Sequence, residues 1–347
     1  MAGTYRRAVF VGPRQIRFDE LPIPEPGPHQ ALIRVRACAL CTWEQRSYTG
    51  EEPFYPLASG HEVSGELVRL GHPAYTDARI GDRVVVSLLT RCGCCESCRR
   101  GMDNLCDNAR QSFCEPGGVA GPAGLAEYVL ADEYQVYKAS NEVAFEHLCL
   151  AEPLACVIRS VRRAGVRPGD VAVVVGAGIM GLLHLMLLKR AGAKVIVSEP
   201  HADRAAFACR MGADAMIDPA HTPFVKAVRD MTDGRGADVV FCTASVAGVV
   251  EEAVESVAKG GRVQVFASIH PRGTRISVDP NLFHNKEIVL TGTLGQGRED
   301  VRQAVRMIAD RLVNLSPLVS LVLPLERLEE GLQAALQMNT YRVVVTP

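Results

Sequence analysis

Hydrophobic and polar positions change rhythm along this chain. Over the first third, short apolar runs with Pro and Gly punctuation recur at residues 8–11, 16–18, 31–37, 63–68 and 83–86, and the 31–37 run alternates with Arg34 and Arg36. Period-two alternation between turn residues predicts half-exposed strands, and strands at this spacing predict a compact β-barrel-like domain. From about Val157 the pattern becomes strand–helix–strand. Strands are expected at 171–175, 194–198, 238–242 and 262–267, with helices at 180–190, 203–211 and 223–232. That alternation predicts a parallel sheet covered by helices, an α/β architecture of the Rossmann, doubly wound kind. Helices at 299–312 and 325–336 and a strand at 341–345 close the chain. Residues 171–188 are almost wholly apolar and about long enough to cross a bilayer. Their β-branched start, three glycines and His184 read better as a buried strand, a tight turn and a buried helix, so no membrane segment is expected.

Composition narrows the function. A net charge of −1 offers no footprint for nucleic acid, and Arg91, Arg99, Arg100 and Arg110 around the cysteine-rich segment read as a solvated loop. The twelve cysteines come with no secretory-type start, so metal ligation in a reducing cytoplasm is expected rather than disulfides.

Two motifs carry chemistry. The first is Cys92-x2-Cys95-x2-Cys98-x7-Cys106, whose four thiolates can close a tetrahedron around one Zn²⁺ with Cys94 as a spare. A closed site of that kind is structural. The second is Gly176-x-Gly178-x-x-Gly181, between the expected strand and helix. There Gly176 allows the turn, Gly178 admits a pyrophosphate, and Gly181 permits close packing, with Ile179 and Met180 opening the helix. Glu199 ends the next strand and can accept from a ribose 2′-hydroxyl, which favours NAD over NADP; Arg204 nearby blurs that preference. A catalytic zinc needs fewer protein ligands and an exchangeable position, and the candidates are Cys41, His61, Glu62 and Glu152.

Together these residues resemble the zinc-dependent medium-chain dehydrogenase/reductase (alcohol dehydrogenase) family over essentially the whole chain. Gly60-His61-Glu62-x2-Gly65-x5-Gly71 is similar to its catalytic-zinc signature, and Cys92, Cys95, Cys98 and Cys106 to its structural-zinc lobe. Glu152-Pro153-Leu154 resembles the polyol branch, which includes the sorbitol and threonine dehydrogenases. The resemblance implies a GroES-like β domain over 1–156, completed by 292–347, and a Rossmann NAD-binding domain over 157–291. It implies two zinc ions per chain and a homodimer or homotetramer. It also implies that Cys41, His61 and Glu152 hold the catalytic metal while Glu62 ligates or exchanges, with Cys149 and Cys156 as possible substitutes. The expected activity is hydride transfer between NAD and a secondary alcohol on a polyol, sugar, cyclitol or amino alcohol, a threonine-type dehydrogenase being the nearest alternative. The chain departs from the family where a Ser or Thr usually starts the proton relay, because Cys41-Thr42-Trp43-Glu44 puts Trp43 there. An indole N–H donates and cannot accept, so Thr42, Glu44 or Glu62 with water become the relay candidates, or the chain is a redox-silent zinc and NAD binder. Arg46 stands where relatives often have His and offers a group for an anionic or hydroxyl-rich substrate.

Overall fold

The computed structural model describes residues 3–109 and 118–347. Arg110 therefore lies outside the described residues, as does part of the expected cysteine-rich loop. The chain divides into two compact units, Met1–Ala155 with Gln296–Pro347, and Cys156–Gly295.

The first unit is built on a seven-stranded sheet whose central strand, Gln30–Ala39, pairs antiparallel with Glu62–Leu70, Tyr128–Asp132 and Arg342–Thr346. Buried Ile33, Val35, Val63, Leu67, Val84 and Val343 form its core, as period-two alternation over one buried face requires. The register of these strands decides which side chains meet. Ala39 faces Glu62 on one side and Val344 on the other. Leu40 then donates its N–H to Val343 O at 2.9 Å, so the chain reaches Cys41 still tied to the C-terminal strand. Gly60, with φ +100°, turns the chain tightly ahead of Glu62–Leu70, where an added Cβ would lie 2.4 Å from Leu125 N.

The second unit is a six-stranded sheet with every pair parallel. In space its strands run Ala215–Ile217, Lys194–Ser198, Val171–Val175, Ala237–Cys242, Val257–Val265, Val289–Gly292. Numbered within the unit this is 3-2-1-4-5-6, the doubly wound order whose direction of winding reverses between Val171–Val175 and Ala237–Cys242. The apolar stretch 171–188 resolves into strand Val171–Val175, a turn, and helix Ile179–Arg190. No described helix is long and apolar enough to cross a membrane.

Some boundaries differ from the sequence expectation. The helix expected at 299–312 spans Arg298–Ala309, and that at 325–336 begins as a 3-10 turn before Leu328–Ala335. Helices Thr42–Thr49 and Ala151–Ala164 were not expected, and both carry residues of the site.

Candidate active site

The cysteine lobe folds as a set of N–H to sulfur turns. Cys95 caps the short helix Glu96–Arg99 and accepts from Cys98 N at 3.5 Å, Cys92 Sγ accepts from Cys95 N at 3.3 Å, and Cys106 Sγ accepts from Cys92 N at 3.3 Å. Such bonds favour the thiolate. Hydrogen bonds from the Cys94 amide, Asn108 and the Cys95 amide pull the Cys92 thiol down to about 5. The four sulfurs lie within 4.8 Å of one another, Cys92 to Cys106 at 3.5 Å. Zinc–sulfur bonds of about 2.3 Å imply tetrahedron edges of about 3.8 Å, so the quartet fits Zn²⁺. Cys94 is exposed and stands outside it. Arg91 corrects the solvated-loop expectation. Its side chain is 5% exposed, Nε donates to Asp103 at 2.7 Å, and a second nitrogen donates to Gln296 O at 2.5 Å. Arg99 and Arg100 are exposed as expected.

A second cluster gathers Cys41, His61 and Glu62, again within 4.8 Å. Its organiser is Glu44, fully buried in the first turn of Thr42–Thr49. Glu44 Oε2 accepts from Cys41 N at 2.9 Å; Oε1 accepts from Ser59 Oγ at 3.0 Å, Gly60 N at 3.2 Å and His61 Nδ1 at 2.9 Å. A carboxylate at Nδ1 fixes that nitrogen as the donor, which leaves Nε2 as the atom that could bind a metal. Burial opposes a charge on His61, but Glu44 and Cys41 lift its pKa well above 6.5. Binding a metal there must displace a proton. Both oxygens of Glu44 are engaged, by four donors in all, so its carboxylate holds the Cys41 amide and the His61 ring in place.

Glu62 and Arg342 form a buried two-bond pair that sequence reasoning missed. Arg342 Nε donates to Oε2 at 2.9 Å and a terminal nitrogen to Oε1, with the Glu62 and Arg342 side chains 0% and 3% exposed. Nothing local signals this contact, because the partners are 280 residues apart and meet only through strand register. Burial pushes the Glu62 carboxyl up, Arg342 pulls it down, and Glu152 adds to the rise. Glu152 lies buried in the first turn of helix Ala151–Ala164, outside the group within 4.8 Å that contains Glu62. Cys149 lies outside the group of three. It is fully buried, burial raises its pKa well above 9.0, and its Sγ faces Glu146 O at 3.3 Å. Cys156 is half-buried and outside the cluster. Thr42 is exposed, and the Trp43 ring stands edge-on to His61.

In the second unit, Gly181 is required by contact, since an added Cβ would lie 1.9 Å from Gly176 O. Around Gly178 an added Cβ would meet nothing within 4 Å, so the turn is open where a pyrophosphate would need to approach. Gly178 is the N-cap of Ile179–Arg190 and no side chain caps that end, leaving the first-turn amides to a ligand. Glu199 is buried at the end of Lys194–Ser198, where it accepts from Ala177 N at 2.8 Å and His201 N at 3.0 Å. Arg204 lies half-buried in helix Ala202–Arg210. Thr243, another residue missed from sequence, donates to Val175 O at 2.7 Å beside the turn at the switch point. These residues fit a dinucleotide.

Residues 27–141 match the alcohol dehydrogenase GroES-like domain and 180–310 match the zinc-binding dehydrogenase domain. The L-threonine 3-dehydrogenase of Pyrococcus horikoshii is 32% identical over 310 residues, covering 87% of this chain and 86% of that one. The sorbitol dehydrogenase of Halalkalibacterium halodurans is 29% identical over 334 residues, 95% of each. Among solved structures, a zinc-binding dehydrogenase from Sinorhizobium meliloti bound to NADP aligns with a TM-score of 0.91 at 28% identity, over 99% of this chain and 100% of that one. With a parallel sheet in doubly wound order, an open donor cluster and these relatives, the chain belongs to the zinc-binding dehydrogenases of the medium-chain alcohol dehydrogenase family and is an oxidoreductase.

Proposed function

We propose that this protein moves hydride between NAD and a secondary alcohol on a polyol, sugar, cyclitol or amino alcohol, as a homo-oligomer in the cytoplasm with two zinc sites per chain. The observation that carries the reading is the contrast between the two donor sets. Four thiols make a closed site, whereas Cys41, His61 and a carboxylate leave room for an exchangeable ligand. Bound at the open set, Zn²⁺ supplies Lewis acidity toward an alcohol or carbonyl oxygen.

The protein's own groups have separable tasks. Glu44 holds His61 with Nε2 free and anchors the Cys41 amide. Arg342 draws Glu62 back through two bonds, which suits Glu62 to an exchanging role and Glu152 to a lasting one. With Glu44 engaged by four donors and Trp43 unable to accept, the Thr42 hydroxyl, exposed at the first helical position, and Glu62 with water are the groups left for passing on the alcohol proton. Glu199 supports NAD as the cofactor. Its carboxylate is held in place by two amides, and a 2′-phosphate would meet that negative charge.

The test is a screen of zinc-replete protein with NAD and NADP against polyols, cyclitols, sugars and amino alcohols, followed by nicotinamide absorbance. Turnover with NAD preferred is expected. Silence on every alcohol and ketone, with NAD and two zincs bound, would instead identify a redox-silent binder.

A further inference from the structure

Trp43 is the chain's single tryptophan and the second residue of helix Thr42–Thr49. Its ring meets His61 edge to face, centroids 5.6 Å apart and planes at 71°. The side chain packs against the hydrophobic core of its unit, and the residue is only half-buried. Glu44 ties the start of its helix to Cys41, Ser59, Gly60 and His61, which fixes the backbone that carries the indole beside His61. A flat apolar surface with one donor and no acceptor cannot carry a proton, but it can select shape.

We propose, on the dehydrogenase reading above, that Trp43 is the specificity-determining wall of the substrate site and selects the C–H face of a cyclic polyol, a cyclitol or pyranose, over linear polyols and amino alcohols. A six-membered polyol ring with equatorial hydroxyls gathers its axial hydrogens into an apolar face that an indole can cover, while the hydroxyls around its rim can accept from the indole N–H. A linear polyol presents no persistent apolar face and must freeze several torsions to make one. An amino alcohol offers its ammonium for a cation–π contact but has no ring face for the indole to cover.

Because Trp43 is alone, its emission reports on the wall directly. Zinc-loaded protein is titrated with myo-inositol, glucose, sorbitol and L-threonine, and turnover is measured with NAD for wild type, Trp43→Thr and Trp43→Phe. The ring probes should shift the emission saturably and the other two should not. Trp43→Thr should raise KM for the ring substrate about tenfold, whatever the new hydroxyl does to kcat, and should erase the preference for rings. Trp43→Phe, which keeps an aromatic wall, should retain that preference. An undiminished ring preference in Trp43→Thr would overturn the proposal, as would tighter saturation by sorbitol or L-threonine. The two readings fail separately. A saturable ring-dependent emission shift without turnover supports the wall and removes the dehydrogenase, whereas turnover with a ring preference indifferent to residue 43 does the reverse.

Discussion

Replacing Glu44 with Gln tests whether the open metal site depends on a residue that touches no metal. Four donors converge on the Glu44 carboxylate, one on Oε2 and three on Oε1, at 2.9 to 3.2 Å. A glutamine keeps one acceptor oxygen and turns the other into a donor. In the less costly orientation its carbonyl keeps Ser59, Gly60 and His61, and its NH₂ confronts the Cys41 N–H. One charge-assisted bond is then lost and a buried amide is left unpaired, for about 1.5–3 kcal/mol. The loss falls on Cys41 directly and on His61 through the removed charge, and both belong to the proposed metal site. Outer contacts of this kind are worth roughly ten- to hundredfold in metal affinity. Glu44→Gln should therefore weaken the open site by roughly that factor and leave the cysteine quartet unchanged. Competition with a chromogenic chelator separates the two zincs by affinity, and thermal unfolding of the metal-free protein measures the stability term. Unchanged affinity at the weaker site would refute the assignment of Glu44 as the group that orients His61.

Other perturbations act elsewhere. Arg342→Ala leaves Glu62 buried beside Glu152 without its cation and should cost about 3–5 kcal/mol in urea unfolding, with Glu62→Gln in the same chain recovering much of it; a loss under about 1 kcal/mol would mean that water reaches Glu62. Gly178→Ala should melt like wild type yet lose dinucleotide affinity in calorimetry, whereas Gly181→Ala, with its Cβ against Gly176 O, should lose both; equal effects would contradict the roles given to the two glycines. His184 is fully buried, donates from Nδ1 to Met180 O at 2.7 Å and accepts from Ser160 Oγ at 2.9 Å, and burial lowers its pKa from 6.5 to about 4. Between those values the unfolded chain binds the proton and the folded one does not, so stability present above pH 6.5 should fall on acidification toward pH 4, by about 3 kcal/mol in all. His184→Gln should flatten that slope in melts taken from pH 7 to 4.5, and an unaltered slope would place the acid sensitivity elsewhere.

The chemistry of this chain was legible where its determinants are local. The Gly176–Gly181 turn, the strands beside it and helix Ile179–Arg190 are specified by residues within a few positions of one another, and the cysteine quartet by spacing alone. The open site was legible only as a pool of candidates, because its residues come from different strands and helices. Helix Thr42–Thr49 has no apolar stripe to announce it. Its start is held by a carboxylate whose other partners lie 15 to 17 residues on, which is why Glu44 looked available as a relay when read from sequence. Arg342 was out of reach altogether. It meets Glu62 because Val344 pairs with Ala39 and Ala39 pairs with Glu62 across three strands. Side chains alternate faces along a strand, so a one-residue slip of Arg342–Thr346 against Gln30–Ala39 would turn the guanidinium to the opposite face and bury Glu62 unpaired. The register of the C-terminal strand is therefore a condition for the charge balance of the open site, and that condition appears in no motif around Cys41, His61 or Glu152.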